Sequence, residues 1–431
     1  MKRVIRMKSV GICTLGCKVN TYESEYVINE LKKANFEIKD FNDICDVYII
    51  NTCTVTNNSD SKSRKMIRQA INRNPNACVV AMGCFIATNK NYNEQGLDII
   101  IANKDKSKIV NLINDYLRNK KQIIDLYDKR LDEFEDMYIN DFPGRTRAFV
   151  KIQDGCDNFC SYCIIPFARG KCRSKDENKV IQEITDLVNN GYKEIVLTGI
   201  HTGSYGVDLD TNFSGLLNKL VEIKGLERLR ISSIECTELN EEVLNLLKRS
   251  KVIVDHLHIP IQAGSDEILK AMNRKYDLEY FKNKIKEIRK IRPEISISTD
   301  VIVGFPGESE ELFKTTINTC KEIEFSKLHV FPFSERKGTK ASFLDGKIDN
   351  KEKKDRARRL IEVSEELEIK YMEKFINREV EVLVEEHKDG YSIGHTGNFL
   401  HVKFKGDYPV NEFITVKIEK VEYPYCIGNK Y

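Results

Sequence analysis

The chain has 431 residues, of which 41% are hydrophobic and 31% charged, and a formal net charge of +3. That length predicts two or three domains, and so even a charge balance obliges any nucleic-acid binder to concentrate its basic residues locally. No apolar run approaches the eighteen or so residues of a membrane helix, and the basic start MKRVIRMKSVGICTLGC lacks a signal peptide's long apolar stretch and cleavage site, so a cytoplasmic protein is expected.

From residue 7 to about 140, strands and helices alternate. SVGICTLG reads as a buried strand. NTYESEYVINELKKANF reads as a helix with Tyr26, Val27, Leu31 and Ala34 on one side. DVYIINTC is a second strand, KSRKMIRQAINRN a helix stopped by Asn74-Pro75, ACVVAMGC a third strand and GLDIIIAN a fourth. Repetition of this unit predicts a doubly wound parallel sheet over 7–140. The charged, weakly periodic LRNKKQIIDLYDKRLDEFEDMYINDFPGRTR reads as a linker.

Six more strands come after it, from Ala148 onward: AFVKIQ, EIVLTGI, RLRISSIE, HLHIPIQ, SISTDVIVGF and KLHVFPF. Helical stretches fill most of the intervals, so residues 145–372 predict a full or partial β/α barrel. NKEKKDRARRLIEVSEELEIKYMEKFI is a long charge-laced helix. REVEVLVEE, GYSIGHTGN, LHVKFKG and EFITVKIEKVE then alternate apolar and polar residues between Gly turns, which predicts a small β-barrel over 374–431.

Thirteen cysteines is a high and odd number. In a reducing compartment it points to metal or redox chemistry, not to a disulfide framework. Three of them sit together in DGCDNFCSYCIIP, at Cys156, Cys160 and Cys163. A closed zinc ribbon wants two Cys-x2-Cys pairs. Here only Cys160 and Cys163 form such a pair, and Cys172 is the only thiol nearby. Three thiolates on a [4Fe–4S] cluster leave one iron open, as catalytic zinc sites leave a position open for substrate. In the first domain Cys17, Cys53 and Cys84 each come after a predicted strand, beside Gly16, Asn51-Thr52 and Gly83. The carboxyl ends of parallel strands lie along one edge, so these thiols can converge. Alternatively, cysteine simply favours buried strands, a reading that suits Cys13, Cys45 and Cys78 well.

The Cys-x3-Cys-x2-Cys loop, with Tyr162 before its last cysteine, resembles the radical S-adenosylmethionine (SAM) enzymes, in which SAM chelates the open iron and yields a 5′-deoxyadenosyl radical. TLGCKVNTYES, NTCTVT and GCFIA, together with that loop and a C-terminal β module, resemble the methylthiotransferases over nearly the whole chain. TLGCKVN with VKIQDGCDNFCSYCIIPFARG is most similar to the branch acting on threonylcarbamoyladenosine at position 37 of tRNA. The resemblance implies a SAM-binding [4Fe–4S] cluster on Cys156, Cys160 and Cys163, which are also the catalytic residues, and an auxiliary [4Fe–4S] cluster on Cys17, Cys53 and Cys84 that carries the sulfur. One SAM would methylate that sulfur and a second would supply the radical that opens adenine C2 to methylthio transfer. The resemblance also implies tRNA, through its anticodon stem-loop, and an electron donor such as flavodoxin or ferredoxin as partners, and a TRAM-like RNA-binding domain at the C-terminus.

Candidate SAM contacts lie at the barrel's strand ends: Thr198, Gly199, Ser233, Glu235, Gln262 and Asp300. Gly199 and the Gly304–Gly307 turn are equally well explained as ordinary loop residues. Cys236 is expected to be a spectator. Arg336 and Lys337 near the sixth strand, Lys403 and Lys405 beside Phe399 and His401, and the helix KEKKDRARR are candidate RNA contacts, with solvated loops or a linker helix as the alternative. Two other functions remain open. One is the same chemistry on isopentenyladenosine or on a ribosomal-protein aspartate. The other is a non-catalytic iron–sulfur or zinc RNA-binding protein.

Overall fold

A computed structural model describes residues 7–126 and 133–431. The start of the basic N-terminal stretch and residues 127–132 of the expected linker lie outside the described residues.

The first layer is a six-stranded, all-parallel sheet. It comprises β1 (Ser9–Thr14), β2 (Glu37–Lys39), β3 (Val47–Thr52), β4 (Cys78–Gly83), β5 (Ile99–Ile101) and β6 (Ile123–Asp125), in the order β2-β1-β3-β4-β5-β6. The four expected strands are β1, β3, β4 and β5. Central strands covered on both faces read as unbroken apolar runs, and β3 and β4 are buried at every position. The short edge strands β2 and β6 carry no such signal. β6 falls inside the expected linker, and the segment from Met137 to Phe142 is no solvated tether. Met137, Ile139 and Phe142 are buried in the barrel's core, and the Tyr22 hydroxyl donates to the Met137 carbonyl at 2.7 Å.

The second unit uses all six expected barrel strands: β7 (Arg147–Lys151), a two-residue pair β8 (Gln153–Asp154) and β9 (Arg173–Ser174), β10 (Glu194–Thr198), β11 (Arg228–Ile231), β12 (His256–His258), β13 (Ser296–Val303) and β14 (Lys327–Pro332). They form two parallel sheets, β11-β10-β7 and β12-β13-β14, joined by lone bridges such as Ser233 to His258. The barrel is therefore partial. Side chains alternate along each strand. Ala148, Val150, Ile195, Leu197, Leu229, Ile231 and Leu257 join the apolar core with the surrounding helices. Their alternates turn inward and are largely polar: Arg147, Glu194, Thr198, Arg228, Arg230, His256, Ser298 and Asp300. Complete β/α barrels fill that space with branched apolar residues; the interior of this one is polar.

The helix Asn350–Glu373 ties the barrel to the C-terminal unit. Its arginines are not a bare phosphate track. Arg356 is buried against Glu308 at 2.8 Å, Arg358 pairs with Asp355 and Glu362, and Arg359 pairs with Glu310. The linker reading of KEKKDRARR fits these pairings. The C-terminal unit is a closed barrel of β15 (Glu379–Lys388), β16 (Tyr391–Thr396), β17 (His401–Lys405), β18 (Phe413–Glu422) and β19 (Tyr425–Lys430), in the order β15-β16-β17-β19-β18. Its last strand escaped the sequence reading because Pro424 precedes it and Gly428 interrupts it, a pattern that mimics a turn. Among the described residues no helix is long and apolar enough to cross a membrane.

Candidate active site

β1, β3 and β4 are consecutive neighbours in the sheet, so their carboxyl ends lie side by side. Cys17 caps the helix Lys18–Lys33 after β1, Cys53 comes directly after β3, and Cys84 opens the short helix after β4. Two glycines let the ends approach. Gly16 has φ +100°, and a Cβ there would lie 2.9 Å from the Cys53 sulfur; Gly83 has φ +102° and abuts Asn51. Asn20 latches the turns together, donating from Nδ2 to Leu15 O at 2.6 Å and Thr52 O at 3.0 Å. Among the described residues no three Cys, His, Asp or Glu side chains close on a single metal ion. A cubane places its thiolates on three different irons and so needs them further apart than one ion's ligands. The three thiols lie at adjoining strand ends, with Cys17 and Cys53 each within electrostatic reach of Cys84.

The second group lies on the loop after β8. Gly155 has φ +73°, and a Cβ would lie 1.8 Å from the Lys171 carbonyl oxygen, so only glycine lets the loop double back. Cys156 N–H donates to Gly170 O at 3.1 Å, and Ser161 N–H to Met272 O at 3.0 Å. The thiols have cationic neighbours. Arg274 Nη1 is 3.4 Å from Cys160 Sγ. Burial works against charge on His201, but bonds to Cys156 and Glu238 win and push its pKa up to about 10. Cys172, the nearest spare thiol, is buried and accepts from Gln153 Nε2 at 3.0 Å, which makes it a packing residue.

A buried charge network joins the two groups. Arg169, fully buried on the helix after Cys163, approaches Cys84 Sγ with Nε at 3.3 Å. It gives Nη2 to Asn20 Oδ1 at 2.7 Å, and Nη1 to Glu23 at 2.9 Å and Asp154 at 3.0 Å. Lys106 and Lys151 complete the set on Glu23, at 2.8 and 2.9 Å.

The expected SAM contacts separate into two chambers and the wall between them. Glu235 lines a cavity of about 240 Å³ with Cys160, His201 and Arg274, and it pairs with Arg274. Gln262 and Asp300 line another of about 200 Å³ with Val55, Thr56, Tyr162 and Cys163. That second cavity is bounded by both cysteine groups' loops. Gln262 holds φ +66°, a strained setting for a non-glycine residue. Thr198 is buried, Gly199 lets Gln153 pack where a Cβ would be 2.9 Å from its Oε1, and Ser233 bridges to His258.

The expected RNA contacts divide. Lys337 and Lys405 are exposed, and Lys403 lies 4.5 Å over the Tyr391 ring. Arg336 does not match its expected role. It is buried, and donates to Asp60 at 2.7 Å, Thr54 at 2.6 Å and Asn57 at 2.7 Å, so it clamps the Cys53 loop to the barrel. Arg336→Met should cost about 2 kcal/mol, because buried charged hydrogen bonds are lost and Asp60 is orphaned; a denaturant midpoint unchanged from wild type would contradict the clamp. Phe399 stacks on His256 yet stays 40% exposed, while His401 packs against His395. The sequence reading passed over Arg169, Glu23, Arg274 and His201. Only one signal was on offer, charges amid otherwise buried segments, and it does not name their partners.

The fold and the cysteine loop define a radical SAM enzyme. The Radical SAM superfamily model matches residues 150–320, and that of uncharacterized protein family UPF0004 matches 9–102. The chain is 44% identical to the threonylcarbamoyladenosine tRNA methylthiotransferase MtaB of Bacillus subtilis, with 98% of this chain and 96% of that protein covered. It is 38% identical to the Aquifex aeolicus protein of the same name, over 95% of this chain and 100% of the relative. It is 34% identical to the tRNA-2-methylthio-N(6)-dimethylallyladenosine synthase of Clostridium perfringens, over 97% and 96%. The radical SAM methyltransferase TsrM of Kitasatospora setae shares the fold, with a TM-score of 0.54 at 13% identity, over 75% of this chain and 72% of that one. The chain belongs to the radical SAM tRNA methylthiotransferase family, whose chemistry uses SAM and a [4Fe–4S] cluster.

Proposed function

We propose that this enzyme inserts a methylthio group at C2 of N6-threonylcarbamoyladenosine 37 in tRNA. The observation that carries the reading is a cavity bounded by Cys163 on one side and by Val55 and Thr56, just after Cys53, on the other, joined to the full-length likeness to relatives named for that substrate. Cys156, Cys160 and Cys163 would hold the SAM-binding [4Fe–4S] cluster, and Cys17, Cys53 and Cys84 a second one. When bound, these groups supply a carbon radical and the sulfur to be inserted, chemistry that side chains cannot perform on an unactivated C–H carbon.

The chain's own work is positional. The loop bonds of Ser161 and Cys156 fix the first trio, and Asn20 and Arg169 fix the second. Arg274, His201 and Arg169 set positive charge beside Cys160, Cys156 and Cys84. Tyr162, Val55 and Phe333 line the intervening cavity and exclude water from the reacting carbon. Lys337, Lys403 and Lys405 are offered to the tRNA backbone, and an electron donor of flavodoxin or ferredoxin type reduces the first cluster. The domain limits 7–140, 145–372 and 374–431 go with these roles, the last as a TRAM-like RNA-binding unit.

Anaerobically purified protein should contain about eight irons and eight acid-labile sulfides per chain. Zinc alone, or no metal, would eliminate the catalytic reading. Deletion of the gene should remove the 2-methylthio form of threonylcarbamoyladenosine from cellular tRNA, as seen by nucleoside mass spectrometry. Its persistence, with loss of the dimethylallyl counterpart, would transfer the enzyme to the sister activity.

A further inference from the structure

Two buried polar atoms in the barrel's interior, on Arg230 and His256, lack partners among the described residues. Arg230 is only 2% exposed and points inward from β11. It donates Nε to Glu194 at 2.8 Å and Nη1 to Gly397 O at 3.2 Å, and its guanidinium lies 4.7 Å over the Phe399 ring. Its Nη2 has no partner among the described residues. His256, 9% exposed on β12, stacks on the same ring at 5.0 Å. It bonds to Ser298 through Nε2 at 3.1 Å, and its Nδ1 has no partner among them either. Buried polar atoms are nearly always satisfied, so two orphans at one place need an explanation. Arg147 adds a third contact to Phe399 at 5.5 Å. Lys18 stands one residue after Cys17, at the start of the first helix. Arg230, Arg147 and Asp300 lie within electrostatic reach of its ammonium group. The carboxylates facing this group are already engaged: Glu194 by Arg230 and Arg228, Glu385 by Arg147 and His395, and Asp300 by His258.

We propose that Arg230, His256 and Lys18 form the subsite for a carboxylate on the substrate's base, the threonyl carboxylate of the N6 substituent. This inference rests on the threonylcarbamoyladenosine reading. A carboxylate offers two oxygens, which match the free guanidinium N–H and the free imidazole nitrogen, and it supplies the missing negative charge beside Lys18. A dimethylallyl tail would leave all three groups without a partner, so the subsite also separates the two tRNA substrates.

The test uses the iron-loaded holoenzyme and two anticodon stem-loop RNAs. One carries threonylcarbamoyladenosine, and the other carries the same nucleoside with its carboxylate converted to the primary amide. Wild type should lose about 100-fold in kcat/KM on the amide, mostly through KM. In Arg230→Gln and in Lys18→Met that ratio should fall to near one. Lys18 forms no hydrogen bond or ion pair among the described residues, so its variant keeps the test open if Arg230→Gln fails to fold. Equal turnover of both RNAs by wild type, or an undiminished ratio in a folded variant, overturns the subsite while the substrate assignment survives. Failure of wild type to thiolate the carboxylate RNA at all overturns the assignment and the subsite together.

Discussion

Cys160→Ala is expected to lose reductive cleavage of SAM altogether, while Cys53→Ala keeps cleavage and loses methylthiolation. The two cysteines belong to different elements, a loop of the barrel and a strand end of the first sheet. Each trio has its own backbone supports, Ser161 to Met272 for one and Asn20 to Leu15 and Thr52 for the other. An alanine at one site therefore removes a ligand without dismantling the other. Released 5′-deoxyadenosine, measured by chromatography, reports the first function, and 2-methylthiolated nucleoside by mass spectrometry reports the second. Iron content should fall from about eight to about four per chain in each variant. If both variants lose both activities equally, the thiols serve one centre and the division of labour is wrong.

The second large effect is expected at Glu23. Its carboxylate is fully buried on the first helix and receives Lys106, Lys151 and Arg169, each within 2.9 Å. Burial alone would raise its pKa, but Arg169, Lys106 and Lys151 together hold it well below the usual carboxylate range. Glu23→Gln keeps the shape and removes the charge, which leaves Lys151 and Arg169 to share Asp154 with Arg173, and Lys106 with Asn103 alone. Breaking a buried ion network in this way costs about 3–5 kcal/mol, far more than a surface pair. The loss is expected as a lower urea midpoint of the iron-loaded protein. A fall of less than about 1 kcal/mol would mean that water, and not Glu23, neutralises the cluster of cations.

Much of the fold was legible because it rests on periodicity. The buried runs at Val47–Thr52 and Cys78–Gly83 announced central parallel strands, and six β/α units announced the barrel. What failed was short or polar. Ile123–Asp125 has only three residues, and Met137, Ile139 and Phe142 are islands in a charged stretch whose burial depends on Tyr22 from over a hundred residues away. The thiols stand out in sequence because their residue type and spacing point to a chemistry. Arg169, Arg230 and Arg336 do not, because a strand, helix or loop arginine looks the same in sequence whether it meets water, a carboxylate or RNA. Both sequence readings of Arg336, an RNA contact or a solvated loop, turn its charge outward. Its burial against Asp60 is a tertiary fact that no local pattern encodes.

The loop Gly397–Phe399 reaches out of the C-terminal unit and lies over Arg230 and His256, where Arg228 also bonds to Glu381 and the His395 carbonyl. The small barrel is thus a bung as well as an appendage. Pulling it away would bare the barrel's polar interior and strand a cluster of arginines. Any attempt to graft a different RNA-gripping head onto this catalytic body has to bring a matching cork.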